Sequence, residues 1–410
     1  MCGDPTGGVL DFCSIYRFFD DLLGSSGVAD RTDWLAFALA GSVLAFIAIN
    51  GLVAATALYT WFERRALARF QARLGPNRWG PFGLLQPMAD LVKLITKEDT
   101  VPDGADRPVF LMSPVLFVVP ALIVIAVIPF GDNPLGSFLG RLNIGVLFIL
   151  GITSANSVVI FMAGWASRNK YAMFGAMRGV AMLVSYEVPM ALSVTGVLIV
   201  AGSMSLFDIV EAQHVPFLLV QPLGFFVFLT ASLAEISRSP LDQIEAESEL
   251  GAGYHTEYSG IKFAIFQLAE FMAPLVTALI ITTVFLGGTR GFSPVPGMVW
   301  LLLKVFGVVF VMLWARATWP RLRVDQIMAL AWKALFFMAI INMFLVAVEV
   351  QLLGDEAGKL TTEDMWLMAA INWVVAIAIV VLIANLMGQR RLKRPTPVPS
   401  PLADMRAEAD

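Results

Sequence analysis

The chain has 410 residues, 58% of them hydrophobic and 15% charged, with mean hydropathy +0.76, which excludes an ordinary soluble domain and indicates a polytopic membrane protein. Its formal net charge of −4 says little by itself, and no nucleic-acid partner is expected. The two cysteines, Cys2 and Cys13, fall short of the roughly four thiolates that an iron–sulfur cluster requires, so no such cluster is expected on this chain.

Residues 1–33 contain Asp4, Asp11, Asp20, Asp21, Asp30 and Asp33 and lack the basic start of a cleavable signal, so they read as an extra-cytoplasmic leader. A hydrocarbon core about 30 Å thick needs about 20 apolar residues per helix. Segments 34–61, 110–130, 144–165, 178–200, 217–237, 261–286, 297–315, 332–353 and 365–388 meet that need. The fold class is therefore all-α integral membrane, with about nine transmembrane helices across 34–388. The loops 62–109, 166–178, 238–260 and 316–331 and the tail 389–410, with Lys262 and Lys333 at their edges, hold 22 of the 28 Lys and Arg residues. The opposite side holds only Arg17, Arg31, Arg141, Arg290 and Lys359, while Lys304 lies within a span. That asymmetry puts the N-terminus outside and the C-terminus in the cytoplasm. His214 and His255 then face opposite sides, which rules out a haem held by both. The proline-spaced tail 389–410 reads as cytoplasmic and disordered.

In the first cytoplasmic loop, the first helix is expected to run past the membrane, with Arg65, Arg69 and Arg73 on one face and a stop at Gly75-Pro76. Leu84, Met88, Leu91 and Ile95 then share the apolar face of a short interfacial helix. Glu187 and Glu270 fall within apolar runs, and Glu235 ends one. Ionisable groups at that depth are costly and mark functional sites. Glu349, Lys304 and Asn342 are isolated or lie near span ends and read as structural.

Segment 231–260 concentrates Glu235, Asp242, Glu245, Glu247, Glu249 and Glu257 around a single arginine, Arg238. Ser239-Pro240 reads as a helix cap followed by proline at the first helical position, placing Asp242, Glu245 and Glu249 on one face. Carboxylates packed this closely titrate as a set and can share a proton. A solvated acidic loop, or one neutralised by the basic first loop, is the plainer alternative. On residues alone, two classes fit: a stand-alone secondary transporter, or the proton-coupling membrane subunit of a redox complex.

Four segments carry a resemblance. FERRALARFQARLGPNRWGPFGLLQPMADLVKLITKE (62–98), GWASRNKYAMFGAMRGVAMLVSYE (164–187), LAEISRSPLDQIEAESELGAGYHTEYSG (233–260) and RATWPRLRVDQIMALAWK (316–333) resemble the quinone-chamber membrane subunit of the proton-pumping NADH–quinone oxidoreductase, respiratory complex I. The resemblance implies an eight-helix core plus one added C-terminal span, in a prokaryotic plasma (inner) membrane. It implies a non-redox member of a multisubunit translocase that forms the entry portal and tunnel for quinone and couples quinone reduction to proton translocation. The proton path maps onto Glu187, Glu235, Asp242, Glu245, Glu247, Glu249, Glu257 and Glu270, and the quinone chamber onto Glu63, Arg64, Asp90, Lys93, Arg238, Arg316 and Arg323. Quinone is the implied substrate. FMN and iron–sulfur clusters would reside on partner subunits. The implied partners are antiporter-like and small membrane subunits, lipid, and hydrophilic iron–sulfur and quinone-site subunits docked on the cytoplasmic loops. Related subunits of membrane-bound hydrogenases and ferredoxin-linked complexes are the nearest alternative. Ser237, Leu241 and Gln243 depart from the family's usual Asn, Phe and Leu, and Met182 stands where Gln is common.

Overall fold

The computed structural model describes residues 29–130, 142–244, 251–291, 295–354 and 360–392. All regular structure among them is helical. Among the described residues, eight helices are long and apolar enough to cross a membrane. Large apolar side chains such as Phe46, Leu58, Leu111, Phe306, Phe344 and Leu352 point outward from the bundle. A surface of that kind suits lipid and would aggregate in water.

The first helix, α1 (Ala29–Phe70), has 42 residues. At 1.5 Å per residue it is about 63 Å long, roughly twice the hydrocarbon thickness. It continues as helix past the apolar stretch through Glu63, Arg64 and Arg65, as expected, but it stops before Gly75. Ala72 takes φ 53°, its N–H bonds to the Arg69 carbonyl, and the Arg73 N–H reaches back to Ala68 at 2.9 Å. This is a Schellman closure built on alanine rather than glycine. A short 3-10 turn (Pro81–Gly83) leads into α2 (Gln86–Thr96), the expected amphipathic helix. None of its residues is buried, and Met88, Leu91, Val92 and Ile95 are exposed.

Helices α3 (Arg107–Ile125), α4 (Gly145–Ala166) and α5 (Lys170–Ala201) form the centre of the bundle. Much of the loop expected over 166–178 is helix, because Asn169 caps α5 by accepting the Tyr171 N–H at 2.9 Å. After α6 (Leu206–Ala212), the span expected over 217–237 is two helices, α7 (Phe217–Val220) and α8 (Pro222–Glu235). The break lies at Gln221 (φ −131°, ψ 66°), immediately before a proline, where helical backbone is disfavoured. Gln221 compensates by donating its side-chain amide to the Gly196 carbonyl at 3.1 Å.

Helix α9 (Gly260–Phe285) is mostly buried and packs on α1, α2, α3 and α10 (Gly297–Thr318). Helix α11 (Val324–Leu330) passes through one π-helical stretch, Ala331–Leu335, into α12 (Phe336–Leu353). The last helix, α13 (Thr362–Leu392), is the added C-terminal span and lies against α7 and α8. A buried hydrogen bond of 2.8 Å from Asn372 to Glu349 ties it to α12. The Lys304 ammonium donates to the carbonyls of Leu286, Gly288 and Arg290 at 2.7, 3.0 and 2.6 Å, closing the end of α9. Both residues hold helices together, as their isolation in the sequence implies.

The expected helix after Ser239 is absent over Pro240–Ile244, which are turn and irregular backbone. Their polar groups bond elsewhere. The Leu322 N–H donates to Pro240 at 3.0 Å, Arg321 donates through Nε to the Asp242 carbonyl, and the Gln243 amide donates to the Leu322 carbonyl. Segment 238–244 is thus stitched to segment 319–323. Glu245, Glu247 and Glu249 lie outside the described residues, as do the leader up to residue 28 and the tail from residue 393.

Candidate functional site: a buried ion cluster opening onto an acid-lined cavity

Glu63 on α1 is buried, and one carboxylate oxygen, Oε1, faces two arginines. Arg316, from the last turn of α10, forms a direct ion pair with it, and Arg238 Nη1 lies at 3.5 Å. Three segments widely separated in sequence converge there. Desolvating charges is expensive, so a two-to-one cluster persists only where each ion has further partners. Arg238 has them: its guanidinium sits 4.9 Å over the Phe271 ring and donates from Nη2 to the Glu270 carbonyl at 3.3 Å.

Beside it lies a second cluster closer to solvent. Arg64 pairs with Asp90 of α2 at 2.5 Å, Gln86 donates to Asp90 at 3.2 Å, and Lys93 stands 4.0 Å from it. Arg65 donates to the Phe82 carbonyl at 2.8 Å and stacks on the Trp61 and Phe82 rings. These contacts seat α2 against the projecting end of α1. Six of the seven expected chamber residues thus fall into two neighbouring clusters. Arg323 does not join them, because its side chain is 81% exposed and pairs only with exposed Asp325 at 3.7 Å.

The acids divide in the same way. Glu270 accepts from Gln267 at 3.0 Å and lines a cavity of about 50 Å³ with Glu235, Ser237, Ile244 and Tyr254. Glu187 lies half-buried on α5, next to buried Tyr186, and does not line that cavity. Asp242 stands apart, 3.5 Å from Arg321. Glu257 is also apart, accepting 2.6 Å from Asn169 at the cap of α5, which is a structural tie. Gly175 lets this wall form, since a Cβ there would meet the Gly253 backbone at 3.0 Å. Behind the turn His255 is buried against Phe263, and burial pushes its imidazole down to about 4. Burial pushes the neighbouring Tyr258 phenol up to about 12.

Two of the family departures acquire a physical role. Ser237 takes φ 55°, a left-handed conformation that asparagine adopts more readily than serine. Gln243 makes a hydrogen bond that leucine could not make.

Sequence reasoning read Arg321 as a tie to a neighbouring acid, which its pairing with Asp242 matches, but it missed Lys262 and Asn156. Buried Lys262 pairs with Asp99 at 3.0 Å and lies 5.1 Å over the Phe110 ring, fastening the first loop to α9. Its signal was a lysine at the start of an apolar run. Asn156 lines the acid cavity, and its signal was an amide in the middle of a span.

Comparison with known proteins identifies the family. A family profile described as NADH dehydrogenase matches residues 43–347. The H subunit of NADH-quinone oxidoreductase from Dehalococcoides mccartyi (strain CBDB1) is 49% identical over 304 residues, covering 74% of this chain and 85% of that protein. The H subunit from Geobacillus kaustophilus is 46% identical over 291 residues, 70% of this chain and 86% of that protein. The one from Bacillus thuringiensis (strain Al Hakam) is 44% identical over 313 residues, 75% of this chain and 92% of that protein. Helix α13 lies beyond the residues that the family profile matches. The chain belongs to the NADH dehydrogenase family, as an H subunit of NADH-quinone oxidoreductase, a multi-pass membrane member of a multisubunit complex.

Proposed function

We propose that this chain forms the portal and chamber through which quinone reaches the electron-donating subunits, and that it passes the charge change of quinone reduction into a proton path. The observation that carries this reading is the position of Arg238. It touches Glu63 on one side and the Glu270 backbone on the other, and the Glu270 side chain shares a cavity with Glu235. A charge appearing beside Glu63, Arg238 and Arg316 acts at short range in a poorly solvated site, where electrostatic effects are strong. The exposed apolar face of α2 next to that cluster suits an apolar quinone tail entering from the membrane.

In this reading the chain holds no electrons itself, and FMN and iron–sulfur clusters sit on partner subunits. The hydrophilic subunits dock on the basic loops, and antiporter-like and small membrane subunits flank the bundle. The N-terminus faces outward and the C-terminus the cytoplasm, following the Lys and Arg distribution. Glu187→Gln tests the proton branch in the intact complex in proteoliposomes. Quinone reduction and proton uptake are expected to fall together, and native values for both would overturn it.

A further inference from the structure

The cavity under Glu235 has a neighbour. A second, of about 70 Å³, is enclosed by α3, α4, α5, α8 and α9. Both share Ala121, Asn156, Glu235, Ile236 and Ala273 in their walls. The larger one runs to Val146 and Leu206, at the starts of α4 and α6, and to Val284 at the end of α9. The smaller runs the opposite way, to Ser237, Ile244 and Tyr254. The two cavities therefore reach toward opposite ends of the bundle and meet at one carboxyl and one amide.

Each cavity exceeds the roughly 10–15 Å³ that one water occupies on this scale, and a buried water needs two to four polar partners. The junction supplies them. Glu235 and Asn156 border both spaces, Thr153 and Thr277 add hydroxyls to the larger cavity, and Glu270 adds its carboxyl to the smaller. Asn156 Oδ1 is buried with no protein partner. A buried acceptor in that state is costly unless something donates to it. Water is the donor that fits the site.

We propose that Asn156 is a positioning residue of the proton path, holding the water that joins the two cavities at Glu235. The inference rests on the assignment of Glu235 to that path. The amide exchanges no proton itself. A proton leaving the Glu235 carboxyl binds the held water as that water releases another onward, so charge moves without net chemistry at Asn156.

The test is X-ray hydroxyl-radical footprinting of the intact complex, which oxidises side chains next to bound water, read at Met190 in the wall of the larger cavity. Met190 is expected to label in the wild type although it is buried. Asn156→Leu should lower that labelling and proton uptake several-fold, and Asn156→Ser, which keeps an oxygen, should restore both. An unlabelled Met190 in the wild type overturns the inference whether or not the leucine variant assembles. Native labelling or native proton uptake in Asn156→Leu also overturns it. Glu235→Gln run in parallel separates the two ideas. Native pumping in that variant removes Glu235 from the path, whereas lost pumping there with native pumping in Asn156→Leu removes Asn156 alone.

Discussion

Arg238 donates from Nη2 to the main-chain oxygen of Glu270 at 3.3 Å while its Nη1 faces Glu63 at 3.5 Å. One guanidinium thereby joins the buried ion cluster to the helix that carries the cavity acid. Arginine suits this position because its planar fork can engage two partners at once and stays charged when buried.

Removing the shared anion should be severe. Glu63→Ala leaves two arginines facing each other without it, and breaking a buried pair costs about 3–5 kcal/mol. Quinone turnover and the thermal stability of the complex should both fall markedly. Arg323→Ala should leave both within error of wild type, since an exposed pair contributes about 0–1 kcal/mol. Equal losses in the two variants would contradict the division of the chamber residues described above.

His255 predicts a pH dependence. Its folded value of about 4 lies below the ordinary 6.5, so the unfolded chain takes up a proton first as pH falls. Stability from this group is complete above pH 6.5 and drains away between 6.5 and about 4, by about 3 kcal/mol in total. His255→Phe should flatten that part of the stability profile, measured as melting temperature against pH. A variant profile with the wild-type slope would contradict the assignment.

Lys304 gives a structural prediction. Lys304→Met leaves three carbonyls after α9 without their donor, those of Leu286 and Gly288 in part-buried bonds, and a buried orphan costs about 1–3 kcal/mol. Assembly yield and melting temperature should drop, whereas the pH profile of turnover in the assembled fraction should match wild type.

Ser237→Asn should act in the opposite direction. A left-handed residue costs roughly 1–2 kcal/mol, less for asparagine, so the variant should raise the melting temperature slightly. A lower melting temperature would show that the hydroxyl, which borders the acid cavity, contributes more than the backbone strain removes.

The spans were legible because length and apolarity alone decide whether a helix can cross a bilayer. The break at Gln221 was not, since Phe217–Ala234 is predominantly apolar and a proline such as Pro222 is a weak sign in a helix that neighbours can re-satisfy. The end of α1 was misplaced because Gly75-Pro76 advertises a stop, while Ala72 in a left-handed conformation advertises nothing. Over Pro240–Ile244 the helix expected after Ser239 gives way to tertiary competition, as Leu322 and Arg321 donate to the Pro240 and Asp242 carbonyls. Within the site, acids at depth were visible one by one. The pairing of Glu63 with Arg316 was not, because no local rule connects residues 253 positions apart.

In the proposed relay, Arg238 transmits the charge state of the chamber to the acids around Glu235. The most direct measurement is proton uptake per electron in proteoliposomes carrying the Arg238→Gln complex, with electron delivery checked by an artificial acceptor that takes electrons before quinone. The relay predicts native electron delivery to that acceptor together with a large loss of quinone-driven proton uptake. Native proton uptake at a native quinone reduction rate would contradict it.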